Sequence, residues 1–184
     1  MAQPEAIDSF DAAIMANHFG IGFHLGAGGR IQVAGLKDDL IATLGIHARL
    51  DIPIHRYVAL APMITAAAWQ SDSANSAGAK RNFYVDLNLM PRGRYPIDLP
   101  RGHLDVYAGI PVGGSIYLPH PDNSGKVRGG WNIGWVLGGR YHFASGFGVL
   151  VELGWLRHAQ RTSSGGRTIN TVLRQTLINV GVLF

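Results

Sequence analysis

From residue 17 onward apolar side chains recur at every second position, the period of a strand with two unlike faces. Eight segments carry the alternation. The first sets Phe19, Ile21, Phe23 and Leu25 against Gly20, Gly22, His24 and Gly26. The second sets Leu44, Ile46, Ala48, Leu50 and Ile52 against Gly45, His47, Arg49, Asp51 and Pro53. A third, about 57–69, has two faces of similar polarity and cannot be oriented. The fourth sets Phe83, Val85, Leu87 and Leu89 against Asn82, Tyr84, Asp86 and Asn88. The fifth sets Leu104, Val106, Ala108, Ile110 and Val112 against Asp105, Tyr107, Gly109, Pro111 and Gly113. The sixth sets Trp131, Ile133, Trp135, Leu137 and Tyr141 against Asn132, Gly134, Val136, Gly138 and Arg140. The seventh sets Phe147, Val149, Val151, Leu153 and Trp155 against Gly148, Leu150, Glu152 and Gly154. The eighth sets Thr176, Ile178, Val180, Val182 and Phe184 against Gln175, Leu177, Asn179, Gly181 and Leu183. Ahead of them, residues 4–16 place Ile7, Phe10 and Ile14 at helical spacing, with Pro4 near the start. Residues 1–16 are therefore read as an N-terminal tail or short helix, and 17–184 as one barrel.

The connections alternate in character. Three are expected to be tight: His55-Arg56, the Pro/Arg stretch 91–101, and Ala144-Ser145-Gly146. Four are longer or more polar, at about 27–42, 70–81, 114–130 and 158–170. The pattern predicts an all-β, eight-stranded antiparallel up-and-down barrel, with short turns at one end and longer loops at the other.

Alternation does not separate a membrane barrel from a soluble one, because only the inside and the outside exchange. Composition does. Charged residues are 15% of the chain, against about 25% in average soluble domains. There is no run of about 18 apolar residues to make a transmembrane helix, so a closed barrel is the remaining way to span a bilayer. In the seven strands that can be oriented the apolar face carries no charge, and the opposite face is small and Gly-rich, as a narrow eight-strand interior requires. Trp131 and Tyr141 share a face ten residues apart. At about 3.3 Å per residue and roughly 45° of tilt that is about 23 Å of membrane, close to the apolar band between aromatic girdles. Trp131, Tyr141, Phe147, Trp155 and Phe184 are the expected lipid-facing girdle. The absence of Cys excludes disulfides and thiolate chemistry. The opening Met-Ala-Gln-Pro-Glu-Ala has no basic or apolar signal region, so a signal peptide is expected to have been removed.

The C-terminal strand ending on Phe184, the segment Trp131-Asn-Ile-Gly-Trp-Val-Leu-Gly-Gly-Arg-Tyr141, and the segment Phe147-Gly-Val-Leu-Val-Glu-Leu-Gly-Trp155 with its inward acid resemble small eight-stranded outer-membrane barrels of the OmpA/OmpX-like superfamily. The resemblance covers about residues 17–184. It implies a bacterial outer-membrane location with both termini periplasmic, contact with outer-membrane lipids and lipopolysaccharide, and recognition by the barrel-assembly machinery through the strand ending at Phe184. A monomer is expected.

The inward face gathers Arg49, Asp51, Asp86, Asp105, Arg140 and Glu152, with His24, His47, Asn82, Tyr84, Tyr107, Asn132 and Asn179. These read as a packed polar network rather than a channel, since buried charges need partners. Arg157, His158, Arg161, Arg167 and Arg174 make the last outer loop basic. Arg suits phosphate, so Arg157, Arg161, Arg167 and Arg174 are candidate lipopolysaccharide contacts. Ser163 and Ser164 near His158, and Ser115 near His120, are the nearest approach to a nucleophile and base, without a recognisable motif. His18, His24, His55 and the His120/Asp122 pair do not form a metal-ligand pattern. No cofactor, metal, catalytic residue or nucleic-acid partner is expected. The reading is a non-enzymatic outer-membrane barrel whose loops contact lipopolysaccharide or an extracellular partner. The alternatives are a narrow pore, a lipid-modifying enzyme and a soluble lipocalin-like barrel.

Overall fold

The computed structural model describes residues 12–123, 126–164 and 167–184. Its strands are β1 (His18–Val33), β2 (Leu36–Asp39), β3 (Thr43–His55), β4 (Val58–Trp69), β5 (Asn82–Leu99), β6 (Gly102–Gly109), β7 (Val112–Leu118), β8 (Arg128–Phe143), β9 (Gly148–Ser164) and β10 (Arg167–Leu183). A short helix, α1 (Asp72–Ser76), lies between β4 and β5. Neighbouring strands pair antiparallel, and β10 pairs with β1 to close the ring. β6 and β7 are one stave. Arg92 faces Gly109 and Leu89 faces Val112, so the register with β5 runs straight through the gap. The gap falls where Pro111 has no N–H to donate. Its carbonyl still accepts from the Gly134 amide (3.0 Å), and the Ile110 amide donates to the Pro91 carbonyl (3.1 Å). β2 is the return arm of a hairpin on the overhanging end of β1. Eight staves remain.

The orientation of the faces fixes the solvent. Phe23 is 68% exposed, while Arg49, Asp51, Asp86, Asp105, Arg140 and Glu152 are each 2% exposed or less. A barrel with large apolar side chains outside and ion pairs inside is soluble only in lipid, so this one spans a membrane. β4, ambiguous in the sequence, turns its odd positions inward: Ala59, Ala61, Thr65 and Ala67 are buried, and Val58 and Ile64 are exposed. The small inner residues make room for large ones opposite. Ala61 packs with Met90 and Tyr107, and Ala67 with Tyr84 and Tyr117.

Several expected boundaries move. The stretch 91–101 is not a turn: β5 runs on to Leu99, and the reversal is confined to Pro100-Arg101. Pro91 sits at one rung of the ladder with its carbonyl still paired, so it forfeits one bond without ending the strand. The expected loops 27–42, 114–130 and 158–170 are largely strand as well, supplied by β1 and β2, by β7 and β8, and by β9 and β10. β1 and β2 are joined by Ala34 (φ +50°) and Gly35 (φ +90°), a two-residue turn with both dihedrals left-handed, which matches the twist of the hairpin.

His18 and Phe184 lie at the same end as the reversals at 56–57, 100–101 and 144–147, hereafter the turn end. An aromatic belt surrounds it: Tyr57 stacks with Tyr95, and Tyr141, Phe143, Phe147 and Phe184 contact one another in series. Residues 12–14 form a helical turn that tucks Ile14, 1% exposed, beneath this end. Residues 4–11 of the expected 4–16 helix lie outside the described residues.

Candidate functional site

The interior is the site, and its charges balance. β5 carries inward alternation past its prolines, which places Arg92 and Arg94 inside with Arg49 and Arg140. Among the described residues four buried guanidiniums thus face the four carboxylates of Asp51, Asp86, Asp105 and Glu152. The sequence reading had two arginines against the same four acids. Arg92 and Arg94 fall in the stretch 91–101, whose prolines mark a turn, although the period-2 pattern continues through both.

At the turn end Arg94 Nη2 donates to the Ile14 carbonyl (2.6 Å) and Nη1 to Asp105 Oδ2 (3.3 Å). Arg140 joins two acids, donating from Nε to Asp105 Oδ2 and from Nη1 to Asp51 Oδ2, both at 2.7 Å. Asp51 also lies 2.9 Å from Arg92 Nη1 and 3.4 Å from Arg49 Nη2. Arg92 stands over the Tyr107 ring, 4.8 Å from its centroid. Arg49 reaches on to Glu152 Oε1, which also accepts from the Tyr107 hydroxyl (2.6 Å). Arg140 and Glu152 therefore share a network through Asp51 and Arg49; in the ladder Glu152 faces Gly138, diagonal to Arg140.

The Arg49–Glu152 pair crosses the closing seam. β3 and β9 lie on either side of the joined β1 and β10, and the inner face between them is glycine: Gly20, Gly22 and Gly181. A Cβ at Gly22 would stand 2.8 Å from the His47 ring and 2.3 Å from the Val180 carbonyl oxygen. The missing side chains let the long ones pass over the seam.

From Glu152 the chain of bonds continues toward the loop end. Asn179 Nδ2 donates to Glu152 Oε2 (2.8 Å), and its Oδ1 meets His24 Nδ1 (2.8 Å). His24 Nε2 meets the Tyr84 hydroxyl (3.0 Å), which accepts from Gln175 Nε2 (2.7 Å). A second branch centres on Asp86. Its carboxylate accepts from Ser115 Oγ (2.6 Å) and meets His158 Nε2 (2.8 Å), while Asn132 Nδ2 donates to Ser115 (2.8 Å). Polar links thus run from Ile14 to Gln175, interleaved with an apolar slab of Met90, Val136, Leu156 and Leu177.

The Asp86 branch has the residue types of a nucleophilic triad in the wrong order. The carboxylate sits between hydroxyl and imidazole, so both are bonded to Asp86 rather than to each other. His158, expected in a basic loop, is wholly buried on β9 because that strand continues to Ser164. The side chains of Ser163 and Ser164 lie outside those described. Ser115 points inward while His120 lies in the 119–123 loop, 3.6 Å from Asp122, so that expected neighbourhood does not form. His55, at the β3–β4 turn, accepts from the Tyr57 amide (3.3 Å).

His103, Asp105 and His142 gather at the turn end with donor atoms within 4.8 Å of one another, and the His18 ring lies 4.0 Å from that of His142. The spacing is within reach of one cation, but Asp105 Oδ2 is already shared by Arg94 and Arg140. Two guanidiniums in contact with the acid oppose a dication there. At the loop end a cavity of about 200 Å³ opens above the network, lined by Trp69, Tyr117, Gln160, Thr171, Lys126 and Arg128.

On the outer surface Trp131, Trp135, Phe147 and Phe184 are exposed, and Tyr141 and Trp155 are half-buried. Arg157, Arg161 and Arg174 face outward on β9 and β10 rather than in a loop, and Arg157 lies over the Trp131 ring at 5.7 Å. Arg167 begins β10, and its side chain lies outside those described.

Closure, an apolar exterior and a charged interior define an eight-stranded transmembrane β-barrel of the outer-membrane type. Solved structures agree. The barrel is similar to the outer membrane protein AlkL in lipid bilayers (TM-score 0.58, 14% identity, covering 91% of this chain and 88% of that one). It is similar to OprG of Pseudomonas aeruginosa (TM-score 0.53, 11% identity, 92% and 95% covered) and to neisserial surface protein A, NspA (TM-score 0.52, 11% identity, 91% and 97% covered). At these identities the likeness is one of fold. No protein-family model matches the chain, and no curated protein does.

Proposed function

We propose that this chain is a non-enzymatic, non-conducting barrel of the bacterial outer membrane, whose outer rim contacts lipopolysaccharide or an extracellular partner. The supporting observation is the interior: four guanidiniums and four carboxylates, with Asp51, Asp105 and Glu152 ion-paired to the arginines and Asp86 bonded to Ser115 and His158, in a lumen occupied from Ile14 to Gln175. A neutral, hydrogen-bonded filling holds a narrow barrel shut. A conducting channel of this diameter would need the same groups solvated. In this reading the turn end and both termini face the periplasm, the barrel-assembly machinery engages the strand ending at Phe184, and the protein is a monomer. The Asp86 arrangement supports the non-enzymatic part, since His158 is not placed to take a proton from Ser115.

Single-channel recording in a planar bilayer tests the closed lumen. The expected trace is flat, and Arg140→Ala should bring intermittent openings. Steady conductance in the unmutated protein would assign it to the pores. Turnover of phospholipid or lipid A by the purified barrel would assign it to the enzymes.

A further inference from the structure

Arg30 faces Arg174 across the β1–β10 ladder, and Arg174 faces Arg157 across the β10–β9 ladder. Three guanidiniums thus form a row across three adjacent strands, all on the outer face. Like charges directly opposite one another destabilise a sheet. One acid relieves the row: Asp39 Oδ1 accepts from Arg30 Nε at 3.3 Å. Among the described residues no carboxylate contacts Arg157 or Arg174, and Arg157 is held over Trp131. The row carries excess positive charge, fixed in place and directed away from the protein.

Its height names the anion. Arg174 is ten residues from Phe184 on the same face of β10. At about 3.3 Å per residue and roughly 45° of tilt, the row stands about 23 Å above the belt at the turn end, at the far edge of the apolar band. Lipid phosphates lie at that level, and a planar guanidinium binds phosphate through two parallel bonds. We propose that Arg30, Arg174 and Arg157 form a binding site for a phosphate group of lipid A in the outer leaflet, with Arg174 at its centre and Trp131 orienting Arg157. This rests on the reading that the loop end faces the cell exterior.

The test uses the full chain folded in non-ionic detergent without phosphate, as the unmutated protein, Arg174→Gln, Arg174→Lys and Arg81→Gln, a control just ahead of β5, three staves from β1. The probes are bisphosphorylated lipid A, the same lipid without its phosphates, phosphatidylglycerol and inorganic phosphate. Arg174→Gln should weaken binding of bisphosphorylated lipid A about tenfold, the scale of one charge-assisted hydrogen bond. Arg174→Lys should fall between the two, and Arg81→Gln should match the unmutated protein. Thermal stability should change sign: without lipid A, Arg174→Gln melts higher because repulsion is relieved, and with lipid A it melts lower. Equal binding by both proteins, or lower melting of Arg174→Gln in both conditions, would overturn the site. The same dependence on Arg174 with phosphatidylglycerol or inorganic phosphate would overturn lipid A as the source. Lys37→Cys, on β2 of a chain with no other Cys, reports orientation through an impermeant thiol reagent on intact cells. Absent labelling sinks the orientation; labelling without a lipid A effect sinks the arginine row.

Discussion

Arg49 and Glu152 are removed from solvent together, and each is held by more than one group: Arg49 by Glu152, Asp51 and the Tyr107 hydroxyl, Glu152 by Arg49, Tyr107 and Asn179. Deleting one charge leaves the other buried and unmatched. Arg49→Met or Glu152→Gln should therefore each destabilise by about 3–5 kcal/mol, and the double variant by less than their sum. Urea unfolding in lipid vesicles measures all three, and simple additivity would mean the two do not act as a pair. Tyr107 reaches this pair because Gly138 has no side chain: a Cβ there would lie 2.6 Å from the ring's Cζ. Gly138→Val should cost about 1–3 kcal/mol by displacing the ring. Gly139→Val, whose Cβ meets nothing nearer than the Asp105 carbonyl oxygen at 4.0 Å, should cost much less in the same assay. Arg49, Asp51, Asp86, Asp105, Arg140 and Glu152 could be placed on one face from the sequence, because strict alternation has only two answers. Their pairings could not, because a contact across a barrel depends on stagger between distant strands, which no local pattern records.

The strands themselves were legible where turn chemistry was conventional and illegible where it was not. Pro91 and Pro96 looked like breakers, yet each sits within β5 at the cost of single ladder bonds, and the inward arginines continue past them. The longer loops dissolved into β1, β2, β9 and β10 because glycine and polar residues there mark overhanging hairpins rather than irregular chain. Ala34 holds a left-handed conformation that a side chain disfavours, so Ala34→Asn should raise stability by up to about 1 kcal/mol. A lower denaturation midpoint would show that the methyl group is needed. On β8, Trp135 is 48% exposed on the apolar face and Asn132 is wholly inside, bonded to Ser115. Trp135→Arg should cost about 2–4 kcal/mol in vesicles, and Asn132→Ala about 1–2. The reverse ranking would mean that Trp135 does not face the apolar band.

The molecule as a whole is a sheet with no free edge apart from its hairpin overhangs, and a closed sheet offers nothing to begin an unzipping. Samples left unheated in detergent should run on gels at a different apparent mass from boiled ones; identical mobility would count against closure. Closure also has a weakest line. Every other junction in the ring joins strands close in sequence, whereas β1 and β10 are brought together only when the ends of the barrel meet. The Arg49–Glu152 pair lies above that line and is anchored one strand back on either side. For β1 to part from β10, the guanidinium must first leave the carboxylate; Arg49 keeps Asp51 on its own strand, while Glu152 keeps only the neutral Tyr107 and Asn179. The pair is a latch, and its effect is on time rather than on balance. Opening carries nearly the whole penalty of separating the charges. Zipping the earlier strands carries little, because the pair forms only as the two ends arrive. Loss of the latch should thus shorten the lifetime of the closed ring far more than it slows the ring's formation.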